Sequence, residues 1–149
     1  MRFQWSTFAE LSTPDLHELL MLRSSVLVVE QASPYPDIDG KDPASHHLRL
    51  WVEGHPGLAG CARCLGPDLV AGGVAFGRLA LAPGLRRHGY GRALVAEALR
   101  FLEERWPGQD VVIGAQAYLE EFYGSFGFRR EGDLYDDVGI PHYDMRLRR

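Results

Sequence analysis

No apolar run in this chain approaches the ~20 residues needed to span a bilayer, and its opening segment MRFQWSTFAE carries an acid and has no apolar signal core. Neither a membrane span nor a secretory leader is expected, so the reading is a cytoplasmic protein. Lysine is nearly absent, Lys41 being the single one among 16 basic residues, and 20 acidic residues bring the formal charge to -4. That balance leaves no broad basic face and argues against nucleic acid as a partner. Cysteine is also scarce: Cys61 and Cys64 form one C-x-x-C, and no second pair exists. The flanking LAGCARCL reads as a strand, on which residues three apart face opposite sides, so the two thiols share neither a metal nor a disulfide. They read as reduced, structural cysteines, and no metal is expected.

The rest of the composition is that of an ordinary globular protein, with 46% hydrophobic and 24% charged residues in 149. This length suits one domain, residues 1–149, able to bury roughly 70% of the surface of its unfolded chain. A further absence is local. No Asp or Glu occurs from Leu69 to Ala96, while Arg78, Arg86, Arg87 and Arg92 do. Within that window Phe76–Leu81 reads as a strand, Pro83-Gly84 as a turn, and Arg86-Arg87-His88-Gly89-Tyr90-Gly91 as a basic glycine loop feeding a helix. Such a junction aims unpaired backbone N–H groups and the positive end of the helix dipole at one point, where an anion of phosphate type binds. No Lys-Ser or Lys-Thr follows a glycine, and no third glycine completes a dinucleotide fingerprint, so neither common phosphate loop is present.

Along the chain, Thr13 reads as an N-cap with Pro14 at the first helical position, and an apolar stripe continues to Val26. Residues 33–45 form a loop or a short helical turn. Strands are expected at 47–53 and 58–65, joined by the GHPG turn, then at 76–81. The clearest helix follows the glycine loop, with Leu94, Val95, Ala98, Leu99, Leu102 and Trp106 on one face. Pro107-Gly108 stops it. Val111–Ala115 reads as a buried strand, Tyr118–Ser125 as a helix, and residues 128–131 and 143–147 as closing strands. Residues 76–115 should make a parallel β-α-β unit. The fold class is therefore α/β (α+β): a mixed, mostly antiparallel sheet with helices on both faces.

The loop Arg86–Gly91 resembles the R/Q-x-x-G-x-G/A signature of the GNAT superfamily of acetyl-CoA-dependent N-acyltransferases. The segments VVEQASPYPDIDGKD (28–42), GAQAYLEEFYGSFGF (114–128) and GIPHYDM (139–145) are similar to its ElaA-like branch, so the resemblance spans nearly the whole chain. It implies acetyl-CoA as cosubstrate and no metal. It also implies coenzyme contacts from Leu79, Ala80 and Leu81 on the strand and from Arg86, Arg87, His88, Gly89, Tyr90, Gly91 and Arg92 in the loop. Two positions depart from the family pattern. Arg87 replaces the usual glycine, and Ser33 stands where the branch often has cysteine, which removes a cysteine nucleophile.

Amide formation from a thioester needs a neutral amine, a polarised carbonyl and a proton for the leaving thiolate. An amine of pKa ~10.4 is only about one part in a thousand neutral near pH 7, so removing its proton is much of the task. Tyr123, in the F-Y-x-x-x-G-F segment that the resemblance places near the coenzyme sulfur, is the expected proton donor, ahead of Tyr118 and Tyr135. Where some relatives carry a catalytic glutamate on the strand, this chain has Arg78. The base is left among Glu30, Asp37, Asp39, His47 and His142, with His142 favoured because histidine titrates near neutrality and because the family places its loop at the acceptor site. Glu30, Asp37 and Asp39 are expected to form an acidic mouth for a cationic primary amine. The expected activity is acetyl transfer from acetyl-CoA to that amine by direct attack. A non-catalytic acyl-CoA sensor or partner-binding module is the alternative, and a homodimer is compatible with either.

Overall fold

A strand that the sequence reading did not anticipate, β1 (Arg2–Thr7), opens the fold. The structure, a computed structural model, describes residues 1–149. β1 pairs antiparallel with β2 (His46–Trp51), β2 with β3 (Gly60–Leu65) and β3 with β4 (Ala75–Leu81), giving a four-stranded sheet in sequence order. Between β1 and β2 lies helix α1 (Thr13–Arg23). Its N-cap is Ser12, one residue earlier than expected, whose hydroxyl accepts from the Asp15 N–H at 3.1 Å and leaves Thr13 and Pro14 inside the helix. At Ser24 the helix widens into a π-helical segment through Glu30 rather than continuing as α-helix. A single 3-10 turn, Asp42–Ala44, is all the regular structure between residues 31 and 45.

After β4 the glycine loop leads into α2 (Tyr90–Arg105), whose buried residues Leu94, Val95, Ala98, Leu99 and Leu102 are the apolar stripe read from the sequence without Trp106, which is the half-buried C-cap beyond the helix. Each fully buried leucine there contributes about 1.5–3 kcal/mol of transfer free energy, which fixes the helix on the sheet. β5 (Val111–Gln116) follows, then a 3-10 turn at Ala117–Leu119 and the short α3 (Glu120–Gly124) where one continuous helix was expected. β6 (Arg129–Arg130), β7 (Tyr135–Asp137) and β8 (Ile140–Leu147) complete a second sheet in which β8 pairs antiparallel with β5, β6 and β7.

The expected β-α-β unit is present only at its root. Val74 and Val111 form one parallel bridge, sealed by hydrogen bonds from the Val74 N–H to the Asp110 carbonyl (2.9 Å) and from the Val112 N–H to the Val74 carbonyl (2.8 Å). Beyond that bridge β4 and β5 belong to separate sheets. The single mixed sheet of the sequence reading is thus two sheets joined at a point and splayed apart above it. Helices cover both faces: Cys61 and Ala80 pack with Leu19, Val26 and Leu27, whereas Cys64 and Phe76 pack with Val95, Ala98 and Leu102. Cys61 and Cys64 therefore do face opposite sides, free and buried, and burial pushes the Cys61 thiol up to about 12. No helix is long and apolar enough to cross a membrane.

Candidate active site

The splay between β4 and β5 opens a cleft of about 740 Å³. Its β4 wall is Ala75–Leu81, its other wall comes from β5 and β8, and the π-helical segment with residues 31–35 closes one side. Above Val74, the β4 edge that faces the cleft has no strand partner, so its backbone polar groups are open to a ligand. Leu79, Ala80 and Leu81 all line it.

Beyond Leu81 and Arg86, the last lining residues on this side, stands the N-terminus of α2, where a Cβ on Gly91 would lie 3.7 Å from the Leu81 side chain. Gly89 is its N-cap, at φ 84° and ψ 2°, a left-handed conformation that glycine adopts without a Cβ penalty. A glycine cap has no side chain to satisfy the first-turn N–H groups, and no acid occupies that turn. The first backbone bond comes from the Ala93 N–H to the Gly89 carbonyl at 3.0 Å, which leaves the amides of Tyr90, Gly91 and Arg92 for a ligand. A Cβ built on Gly89 would meet nothing within 4 Å, as suits an open cradle. Arg87 is also left-handed, at φ 65°, which explains why its position favours glycine.

The basic side chains of the loop are less free than the sequence implied. Arg86 is paired with Glu30, Nη2 lying 2.6 Å from Oε2. Arg92 turns toward α3, donating to the Ser125 hydroxyl at 2.8 and 2.9 Å and lying over the Phe126 ring at 4.5 Å. His88 is exposed near Tyr90, and the Arg87 guanidinium makes no ion pair.

Tyr123 reaches the cleft from α3, packed among Phe76, Phe122 and Phe128. Its hydroxyl makes no hydrogen bond within the protein. Burial, with Tyr118 a smaller influence, pushes the phenol up to about 12, so it is a protonated donor throughout the neutral range. His142 also lines the cleft but lies on β8, not in the loop expected for it, opposite Gln116 of β5 and Tyr135 of β7. Its Nδ1 is 2.7 Å from the Ile140 carbonyl and its ring stacks on Tyr135. With Nδ1 donating to that carbonyl, the Nε2 lone pair is free, 4.0 Å from Asp137. His47, another candidate base, is buried against the Asp42 carbonyl, and burial lowers its pKa; it does not line the cleft.

The acidic mouth needs correction. Asp37 is 7% exposed and binds Arg23 (3.0 Å) and Arg78 (2.9 Å), while Asp39 binds Arg63 (2.6 Å) and Arg78 (3.2 Å). The Arg63 hydrogen bonds hold the Asp39 carboxyl well below the usual carboxylate range. Asp42 completes the cluster with Arg23 at 2.8 Å and Arg63 at 2.9 Å; burial pushes its pKa up, but the two arginines outweigh that and lower it. Three arginines thus balance three aspartates, and Arg86 balances Glu30. Neither Asp37 nor Asp39 lines the cleft; Arg63 and Arg78 do. Sequence reasoning missed these two arginines as site residues, although an arginine inside an apolar strand such as GCARCL signals a buried carboxylate partner.

The acetyltransferase (GNAT) domain family model matches residues 44–149. Protein ElaA of Escherichia coli is 40% identical over 139 residues, 92% of this chain and 90% of that protein. Its crystal structure superposes with a TM-score of 0.90 over 98% of both chains, at 37% identity. A UPF0039 protein of Synechocystis is 38% identical over 148 residues, 99% of this chain and 96% of its own. An acyl-CoA N-acyltransferase crystal structure from Pseudomonas aeruginosa also gives a TM-score of 0.90, with 36% identity and 98% of both chains covered.

Proposed function

The chain belongs to the GNAT acetyltransferase family, and from that premise we propose that it is a cytoplasmic enzyme moving an acetyl group from acetyl-CoA to a primary amine by direct attack. One observation carries the reading: the uncapped first turn of α2 sits against Leu81, a lining residue of the cleft that also holds the unpaired β4 edge and the unpartnered Tyr123 hydroxyl. In this reading the pyrophosphate of the coenzyme rests on the amides of Tyr90, Gly91 and Arg92, where N–H groups and helix dipole reinforce one another. Arg87, free of any ion pair, adds charge from outside. The pantetheine arm carries amides that suit the open edge of β4 at Leu79, Ala80 and Leu81.

The acyl carbon then lies between the splayed strands. His142 Nε2 takes a proton from the incoming ammonium, and the neutral amine attacks the thioester carbonyl. As the C–S bond breaks, Tyr123 gives its proton to the thiolate. His142, having passed the first proton to solvent, takes the second from the nitrogen of the tetrahedral adduct, and the phenol recovers its own proton from solvent, so one proton is released overall. No residue is acylated in this route.

Gly89→Asp tests the cradle. It puts a carboxylate where the phosphates would lie, so coenzyme A binding measured by calorimetry should be lost in a folded variant. Unchanged affinity would move the coenzyme elsewhere. Thiol release from acetyl-CoA with and without a panel of primary amines tests the chemistry. Coenzyme binding with no amine-dependent release would leave only a coenzyme-binding module.

A further inference from the structure

We propose that the β4 wall of the cleft binds a carboxylate through Arg78, with Arg63 beside it, so that the amine acceptor is an amino acid or another amine bearing a carboxylate. This rests on the acyl-transfer reading only in calling that ligand the acceptor.

The backbone is bent to present Arg78. Between the pairs Cys61↔Ala80 and Arg63↔Gly77, β4 advances three residues while β3 advances two, so a bulge falls at Arg78 and Leu79. Arg78 takes φ 50° there, a conformation that costs energy for a residue with a Cβ and persists because the surroundings hold it. Those surroundings are the Tyr35 ring, 5.2 Å below the guanidinium, and hydrogen bonds to the Asp37 carbonyl from Nε and Nη2, both at 3.2 Å. The result is an arginine fixed in place on a cleft wall, with its side chain 22% exposed.

Donors at this corner exceed acceptors. Nε and Nη2 of Arg78 have partners, but its Nη1 has none. Arg63 also lines the cleft, but it is 4% exposed, with Nη1 and Nη2 bonded to Asp39 and Asp42 and Nε shut away from the cleft. It adds positive charge to this wall, while the donor open to a ligand is Nη1 of Arg78. Arg63 and Arg78 already converge on one carboxylate oxygen, Oδ2 of Asp39, at 2.6 and 3.2 Å. Asp39 fills that point of convergence, so a ligand meets the remaining N–H pair of Arg78 at Nη1, and a charge-assisted bond there favours a carboxylate over a neutral acceptor. The Arg23, Arg63 and Arg78 cluster with Asp37, Asp39 and Asp42 is balanced in charge, so what distinguishes ligands here is the donor left over, Nη1 of Arg78, which a carboxylate accepts from and an ammonium cannot. On the opposite wall stand His142 and Asp137, suited to the ammonium end. An acceptor spanning the cleft places its carboxylate on β4 and its nitrogen toward β8.

The test is calorimetric titration of matched probes into the protein saturated with coenzyme A: L-lysine against cadaverine, and L-phenylalanine against phenethylamine. The carboxylate member of each pair should bind about tenfold tighter or better. Arg78→Gln should bring that ratio close to one, and Arg78→Lys should restore part of it. Equal affinities, tighter binding of the decarboxylated member, no carboxylate binding at millimolar concentration, or a ratio unmoved by Arg78→Gln in a folded variant overturns the proposal. Thiol release with the same probes is read separately. Carboxylate-selective binding without acyl transfer would keep this site and remove the acyl-transfer reading.

Discussion

Arg86 donates to both carboxylate oxygens of Glu30, so the glycine loop is tied to the end of the π-helical segment beside the cleft that both residues line. That hydrogen bond lowers the Glu30 pKa, and the pair persists at neutral pH. An arginine occupied by a carboxylate must exchange it for phosphate or leave the phosphate to others. Glu30→Gln should therefore tighten coenzyme A binding modestly, by about two- to fivefold, since exposed ion pairs hold their members weakly. Calorimetry at low and moderate salt reads this, and weaker binding in the variant would show that Glu30 instead orients Arg86 for the coenzyme.

Arg87→Gly separates charge from backbone. At φ 65° the arginine pays a steric cost that glycine does not, partly offset by the entropy glycine loses on folding. A net stabilisation of about 0.5–1 kcal/mol is expected, read as a raised melting temperature. Coenzyme affinity should fall at the same time, because the loop loses its one unpaired guanidinium. A variant less stable than the parent would contradict the strain assigned to this position.

How far the sequence carried these conclusions depends on how local each cause is. The α2 stripe, the Gly89 cap and the opposed cysteines follow from periodicity and backbone freedom within a few residues, and each was legible. The Asp37 and Asp39 environment was not, because their partners Arg23, Arg63 and Arg78 lie 14 to 41 residues away in sequence. A charge count over residues 30–42 sees only the acids. β7 escaped notice for a different reason. Its two-residue turn to β8 is Val138-Gly139, both at positive φ (51° and 80°), and a β-branched residue gives none of the Asn-Gly signal such turns usually carry. That missed hairpin put His142 in a loop instead of a central strand. The splay of β4 from β5 has no local signature, since it is set by where two sheets stop sharing bonds.

Arg23 is the anchor of the buried ion cluster, 1% exposed and bonded to Asp37 and Asp42. Arg23→Leu would leave two buried carboxylates short of a partner and should cost about 3–5 kcal/mol in denaturant unfolding. The same cluster predicts acid sensitivity. The pKa values of Asp39 and Asp42 are lowered in the folded protein, so their contribution is complete above the unfolded value near ~3.9 and is lost as pH falls below it. Hydrogen exchange of residues 33–45 should rise in that range before α2 exchanges. Simultaneous loss of both would mean that the loop is no separate unit.

Tyr123→Phe and His142→Gln divide the proposed proton transfers between them. The Tyr123 phenol is raised to about 12 by burial and has no partner within the protein, so phenylalanine fills the same space and removes only the donor. Single-turnover acyl transfer should slow by about 10²- to 10⁴-fold, with coenzyme A affinity nearly unchanged. Stability gives an independent reading. A phenol whose folded pKa lies above its unfolded value near ~10 contributes stability below pH 10 that is lost as pH rises toward 12. Tyr123→Phe should therefore unfold less steeply across that alkaline window. His142→Gln should instead remove or shift the acidic limb of the rate profile, since a base must lose its proton before it can act. Normal single-turnover rates in Tyr123→Phe would take the phenol out of the chemistry, and an acidic limb untouched by His142→Gln would return the base to solvent.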